Sequence, residues 1–142
     1  DFCTGPAVNV LQDGELLVSL KLPPPQPRSG AAFLRFIPRN EMDIAVANAA
    51  SSITLDESGQ RIASARIAIG AVGPTPYMTT DAANLLVGKE PNEAAFEEAG
   101  EAAKAYARPI NDMRGTIDQR IHLVGVLTKR TLRAAVERAR GA

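Results

Sequence analysis

The sequence predicts an α+β domain: an antiparallel sheet of three or four strands with helices packed on one face. Two changes along the chain carry this expectation. Up to Met78 the apolar residues recur with period two between Gly- and Pro-rich breaks, whereas after Pro91 they recur at three- and four-residue spacing. Strands first and helices second is the order of a sheet backed by helices, not of alternating βα units. The bulk composition agrees, since 142 residues with 45% hydrophobic and 23% charged content suffice for one substantial core.

The first strand is expected in ELLVSLKLP, where Leu16, Val18, Leu20 and Leu22 fall on one side and Leu17, Ser19 and Lys21 on the other, the pattern of a half-buried strand. PPPQPRSG, from Pro23 to Gly30, is a connection, because its prolines lack a backbone donor and fix φ. AAFLRF resumes the alternation. RFIPRNEMDIAVANAAS then breaks at Pro38 and sets Arg39, Glu41 and Asp43 around two apolar residues, which on the residues alone reads as a solvated surface turn. AVANAASSITLD and RIASARIAIGAV are two long strands joined through residues 56–60, with Gly59 suited to the positive φ of a hairpin. Pro74 and Pro76 end the run, because neither a central strand nor a helix tolerates them.

In the second half Asn92 is placed to cap a helix with Ala95, Ala99, Ala102 and Tyr106 on one face and Glu97, Glu98, Glu101 and Lys104 toward water. Thr116 and Gln119 form a capping box that opens a long helix, with Ile117, Ile121, Val124, Leu132, Ala135 and Ala139 broadly on one side. Its IHLVGVL segment is apolar nearly all round, so it is expected to be buried on more than one side. Gly125 within it costs helix stability unless a close contact requires it. The same surroundings make His122 a packed or hydrogen-bonded residue and no catalytic base.

Several function classes are excluded at this level. Sixteen basic against sixteen acidic residues leave no global field for nucleic acid or an anionic membrane, and the basic helix end carries no interleaved aromatics. One cysteine and one histidine supply no soft-ligand cluster, so no metal site is expected, and Cys3 reads as a packing residue. GAVGPTP lacks the spacing and the free helix amides of a dinucleotide-binding turn. No apolar run approaches the length of a membrane span and no signal peptide is visible, so a cytoplasmic location is expected. No catalytic residue is recognisable. The start DFCTGPAVN, without methionine, reads as the interior of a longer chain.

Taken in order, however, the motifs form a series: F-x-x-G-P at Phe2 to Pro6, E-L-L at Glu15 to Leu17, R-x-x-x-D-I-A at Arg39 to Ala45, the Pro-Thr-Pro run after Gly70, L-x-G at Leu86 to Gly88, and D-x-R-G-T-x-x-x-R at Asp112 to Arg120. The series resembles the C-terminal domain of the flavin subunit of molybdenum hydroxylases, the carbon monoxide dehydrogenase and xanthine dehydrogenase family, over practically the whole chain. The resemblance implies part of an oxidoreductase in which a molybdopterin large subunit oxidises substrate and an iron–sulfur small subunit carries the electrons. FAD in the medium subunit then passes them to an acceptor. Residues 1–15 would be a trailing segment of a preceding FAD-binding domain and 16–142 the C-terminal domain. That preceding domain would hold most of the FAD, so no cofactor is expected on the isolated chain, nor catalysis by it.

The resemblance also implies that residues at the positions of Leu17 and Arg35 approach the flavin and that the loop from Phe36 to Asp43 lies near its ring. Arg39, Glu41 and Asp43 then become flavin-adjacent charges able to tune the cofactor and guide its acceptor. Leu17 points away from the apolar face of its strand, which frees it for such a contact. The chain departs from the family at Cys3, where a second aromatic is usual, at Arg35 for lysine, at Asn84 for glutamate and at Gln119 for tyrosine. Arg35 keeps the charge but changes its geometry. The rival reading is a free-standing, non-catalytic protein-interaction domain using the Ala-rich helix and the basic helix end.

Overall fold

The computed structural model describes residues 2–39 and 42–141. It begins with a small antiparallel hairpin of β1 (Cys3–Gly5) and β2 (Val8–Asn9). The main sheet follows: β3 (Ser29–Phe36), β4 (Ala47–Leu55), β5 (Ile62–Gly70) and the short β6 (Tyr77–Met78), antiparallel in the order β3-β4-β5-β6. The expected α+β class is therefore the observed one.

Alternation dictates which side of each strand is dry. Ala47, Ala49, Ser51, Ile53 and Leu55 of β4 are buried, together with Ala32 of β3 and Ile67 and Ile69 of β5, while the intervening residues face away from the helices. The β4–β5 hairpin closes through Asp56, whose Oδ1 accepts from Gln60 N at 3.1 Å, and Gly59 takes the expected left-handed φ of 71°. β6 pairs only through Tyr77 and Met78, at the sheet edge just after Pro76, where a missing donor is tolerated.

One expected strand is absent. Residues 13–28 have no regular structure, and Leu16, Val18, Leu20 and Leu22 are 81–91% exposed. An alternating segment becomes a strand only where a neighbour accepts its backbone bonds and covers its apolar side, and no described element does either. β6 is the fourth strand in its place.

The helices are α1 (Thr80–Asn84), which the sequence pattern did not signal, α2 (Glu93–Lys104) and α3 (Ile117–Ala139). Both long helices start at the expected caps: Asn92 Oδ1 accepts from Ala95 N at 3.0 Å and Thr116 Oγ1 from Gln119 N at 3.2 Å. α2 buries Ala95, Phe96, Ala99, Gly100 and Ala103, one position round from the expected face. Tyr106 falls beyond its end, where its hydroxyl donates to Asp81 Oδ2 at 2.7 Å and so anchors α1. His122 is exposed, contrary to expectation, because the buried stripe of α3 runs through Val124, Leu127, Thr128, Thr131 and Leu132. Among the described residues no helix is long and apolar enough to cross a membrane.

Glycine sets the closest approaches. A Cβ on Gly30 would lie 2.1 Å from Ala135 O, so β3 rests directly on the α3 backbone. A Cβ on Gly100 would lie 2.9 Å from Gly125 O, which places the α2–α3 crossing at these two glycines. The obstacles differ in kind. Gly100 faces fixed backbone, whereas a Cβ on Gly125 would first meet the flexible end of the Lys104 side chain. Gly100→Ala is therefore expected to lower stability by about 1–3 kcal/mol by overpacking. Gly125→Ala should be nearly neutral, since helix propensity returns about 1 kcal/mol, and Gly125→Leu should be clearly destabilising. Thermal unfolding of the three variants checks this order; a Gly125→Leu variant as stable as the parent would show that the helices do not cross there.

Candidate functional site

The helices cover one face of the sheet and leave the other open. On β3 that open face carries Ala31, Phe33 and Arg35; the register sets Arg35 opposite Asn48 and Phe33 opposite Ala50, and Ala50 in turn pairs with Ala68 and Ala68 with Met78. Three small residues in mid-sheet leave a depression of about 480 Å³, lined mainly by Ala31, Phe33, Ala50, Ala68 and Met78, with Arg66 and Arg138 also contributing. It is shallow and mostly apolar. Arg35 stands two residues along the same strand face, exposed and without a hydrogen-bonding partner among the described residues.

The β3–β4 loop closes at its base through Val46 N donating to Phe36 O at 2.9 Å. The charges within it do not behave alike. Arg39 is 70% exposed, but its Nη2 donates to Met42 O at 3.1 Å and its Nε to Asp43 Oδ2 at 3.4 Å. The Asp43 side chain is only 5% exposed. It accepts from Ile44 N at 2.8 Å and faces Arg114 Nε at 3.5 Å. Desolvation works against its ionisation, yet the Ile44 N–H and the guanidinium groups of Arg39 and Arg114 outweigh it and hold the carboxyl below its ordinary value. Asp43 is thus a latch that fastens the loop to the segment before α3. Glu41 lies outside the described residues.

A second layer holds that segment. Asp112 Oδ1 accepts from Arg114 N at 2.8 Å, Gly115 N at 3.2 Å and Arg120 Nη2 at 2.7 Å. The Arg114 N–H does most to depress the Asp112 carboxyl below its usual value, and Arg120 adds to it. Arg120 is 5% exposed; its Nη1 donates to Val46 O at 2.8 Å and Ala71 O at 3.3 Å. One buried guanidinium therefore ties together the start of β4, the chain leaving β5 and the turn before α3. Ala71 itself takes a left-handed φ of 61°, a strained conformation for a residue with a Cβ.

Of the residues singled out from the sequence, the fold groups Arg35, Arg39 and Asp43 at one end of β3. It leaves Leu17, 53% exposed, in the unpaired arm, where it does not line the sheet depression. Arg114 and Arg120 had no site role in the sequence reading. A usable signal was present: Arg120 closes the first turn of α3, where a positive charge opposes the helix dipole and is retained only for a tertiary partner.

Comparison with known proteins defines the class. The family model described as the CO dehydrogenase flavoprotein C-terminal domain matches residues 32–135. The chain belongs to that family. It is 33% identical over 140 residues to the carbon monoxide dehydrogenase medium chain of Afipia carboxidovorans, covering 99% of this chain and 46% of the relative. To the putative xanthine dehydrogenase FAD-binding subunit of Escherichia coli K12 it is 29% identical over 141 residues, covering 99% and 48%. Quinoline 2-oxidoreductase from Pseudomonas putida 86 superimposes with a TM-score of 0.89 at 32% identity, over 98% of this chain and 47% of that one. Reconstituted CO dehydrogenase from Oligotropha carboxidovorans gives 0.89 at 30% identity, over 97% and 47%. The chain thus spans about half the length of the curated relatives it matches.

Two outcomes follow from the polar layer. Arg120→Met should lower stability by about 2–4 kcal/mol, because Val46 O and Ala71 O stay buried without their charged donor. Denaturant unfolding measures it. The Asp112 carboxyl has a folded-state pKa below the ordinary 3.8, so its contribution is full above that pH and is lost as pH falls through the depressed value. Asp112→Asn should accordingly be less stable than the parent at pH 7, with the gap closing on acidification below pH 3.8. Parallel pH–stability curves would contradict this.

Proposed function

We propose that this chain is the C-terminal domain of the FAD-binding medium subunit of a molybdenum-containing hydroxylase, and that its open sheet face and β3–β4 loop form one wall beside the flavin. The observation that carries this reading is Arg35, exposed on the open sheet face without a hydrogen-bonding partner among the described residues, next to a loop latched by Asp43. A planar ring system suits such a surface: alanines leave it room, Phe33 and Met78 offer apolar contact, and Arg35 supplies a cation at the border.

The residues present fit one side of the cofactor and not its pyrophosphate. Asn92 and Thr116 cap the long helices with their own side chains, and no glycine-rich turn leads into either helix among the described residues. FAD held by a preceding domain would supply the electron relay between the iron–sulfur centres of a small subunit, fed by a molybdopterin large subunit, and an external acceptor. This chain's own part is to exclude water from one side, to set the local charge through Arg35 and to hold the loop still through Asp43 and Arg114. Leu17 joins the same wall from its arm. Arg39 and Glu41 influence which acceptor approaches.

Two measurements test this. Titration of the isolated chain with FAD should give no tight stoichiometric binding, since the cradle is elsewhere; retention of one FAD per chain would overturn that division of labour. In the complete enzyme, Arg35→Ala should lower the flavin potential, where about 1.4 kcal/mol corresponds to a tenfold change in the reduction equilibrium, and leave substrate reduction of the molybdenum centre unchanged. Stopped-flow measurement of both half-reactions, with flavin content checked, separates the two. An unchanged flavin potential and reoxidation rate would return the loop to a solvated turn.

A further inference from the structure

The chain has three methionines, and none is among its buried hydrophobic residues. Elsewhere this flexible apolar side chain serves as a filler of cores. Met42 is 94% and Met113 93% exposed, while Met78 keeps 46% on the open sheet face. The first two stand in turns whose backbones are fixed. Met42 takes a left-handed φ of 51°, and its carbonyl accepts from Arg39 Nη2 at 3.1 Å. Met113 occupies the turn closed by Asp112 N donating to Gly115 O at 3.2 Å and Gly115 N donating to Asp112 O at 3.3 Å. Each is the chain neighbour of one half of the loop latch, Met42 of Asp43 and Met113 of Arg114, and these face each other at 3.5 Å. Packing explains neither position, since neither side chain is covered.

We propose that Met42 and Met113 are oxidation sites at which hydrogen peroxide loosens the loop latch. One peroxide oxygen passes to the thioether sulfur: the O–O bond breaks, an S=O bond forms, the sulfur gives up two electrons and the second oxygen leaves as water. The source of the oxidant rests on the function proposed above, since dioxygen that takes two electrons and two protons from a reduced flavin becomes hydrogen peroxide. The loop carrying Met42 then stands first in its path. The product matters because of what lies beside it. A thioether is a weak acceptor, whereas a sulfoxide is polar and accepts hydrogen bonds through its oxygen. Arg39 and Arg114 keep 70% and 34% of their side chains exposed, so both have N–H groups open to an acceptor that arises next to the latch. Sharing either guanidinium with a sulfoxide weakens its hold on Asp43, whose side chain, 5% exposed, has little water to replace it.

The test treats the complete subunit, FAD bound, with hydrogen peroxide and follows sulfoxide formation residue by residue by peptide mass spectrometry. Met42 and Met113 should be oxidised about twofold or more faster than Met78, in keeping with their exposure. Amide exchange at Ile44, whose N–H is held by Asp43, should then quicken about threefold or more, as the loss of one ordinary hydrogen bond implies. The double variant Met42→Leu, Met113→Leu should not respond. Aerobic turnover in the presence of catalase tests the source separately, because catalase removes peroxide from bulk solution and not peroxide formed beside the residue. Met42 should still be oxidised. Oxidation by added peroxide but not during turnover would overturn the placement of the loop beside the flavin and leave the latch standing. Methionines 42 and 113 that react in the isolated chain but not in the complete subunit would be contacts with the rest of the protein, which overturns the proposal. Exchange at Ile44 that quickens equally in the double leucine variant would overturn it too.

Discussion

The buried guanidinium of Arg120 is the constraint on which the site end of the molecule depends. It reaches from the first turn of α3 to Val46 O, Ala71 O and Asp112, and so meets three segments far apart in sequence. A charge this buried is tolerated when most of its donors are used: Nη1 and Nη2 of Arg120 are bonded while its Nε has no partner among the described residues, and the fixed planar fork reaches several acceptors at once, which a lysine at the same position would not. The loop charges are held through the same assembly: Arg120 fixes Asp112, the Asp112 turn presents Arg114, and Arg114 faces Asp43. The loop beside Arg35 is thereby coupled to the seating of a helix on the covered side of the sheet.

That seating is equally particular. Gly30 against Ala135 and Gly100 against Gly125 bring backbone close to backbone, while Ser51 Oγ and Thr131 Oγ1 share a buried hydrogen bond of 2.7 Å between β4 and α3. Close packing on one face lets the opposite face stay flat and nearly empty. Small residues serve both purposes: inward, Ala47 and Ala49 let α3 approach; outward, Ala50 and Ala68 leave space above the sheet.

How the chain divides between what it buries and what it exposes bears on its place in a larger protein. The core is complete without residues 2–28, and both the open sheet face and the arm keep apolar groups in water, as do Met42, Ile110 and Met113 in the loops. Relatives of this family have about as much chain again as the stretch matched here. In the function proposed above, both surfaces meet that remainder, with flavin between.

The sequence by itself determined the local events. Period-two alternation located β3, β4 and β5; Gly59 closed their hairpin; Asn92 and Thr116 began the long helices, because a cap is a bond between neighbours three residues apart. The ordered motifs also carried the family, and with it the expectation that Arg35 and the Arg39–Asp43 loop lie near a flavin. Only the tertiary structure decided which charges turn inward. Asp43 and Arg39 look equivalent in the sequence, and Arg120 resembles any surface arginine of a helix, until partners some seventy residues away make one a latch and another a buried tie. The arm failed as a strand for the same reason. Alternation states that one side of ELLVSLKL seeks cover, but pairing and burial depend on what lies opposite, and among the described residues nothing lies there.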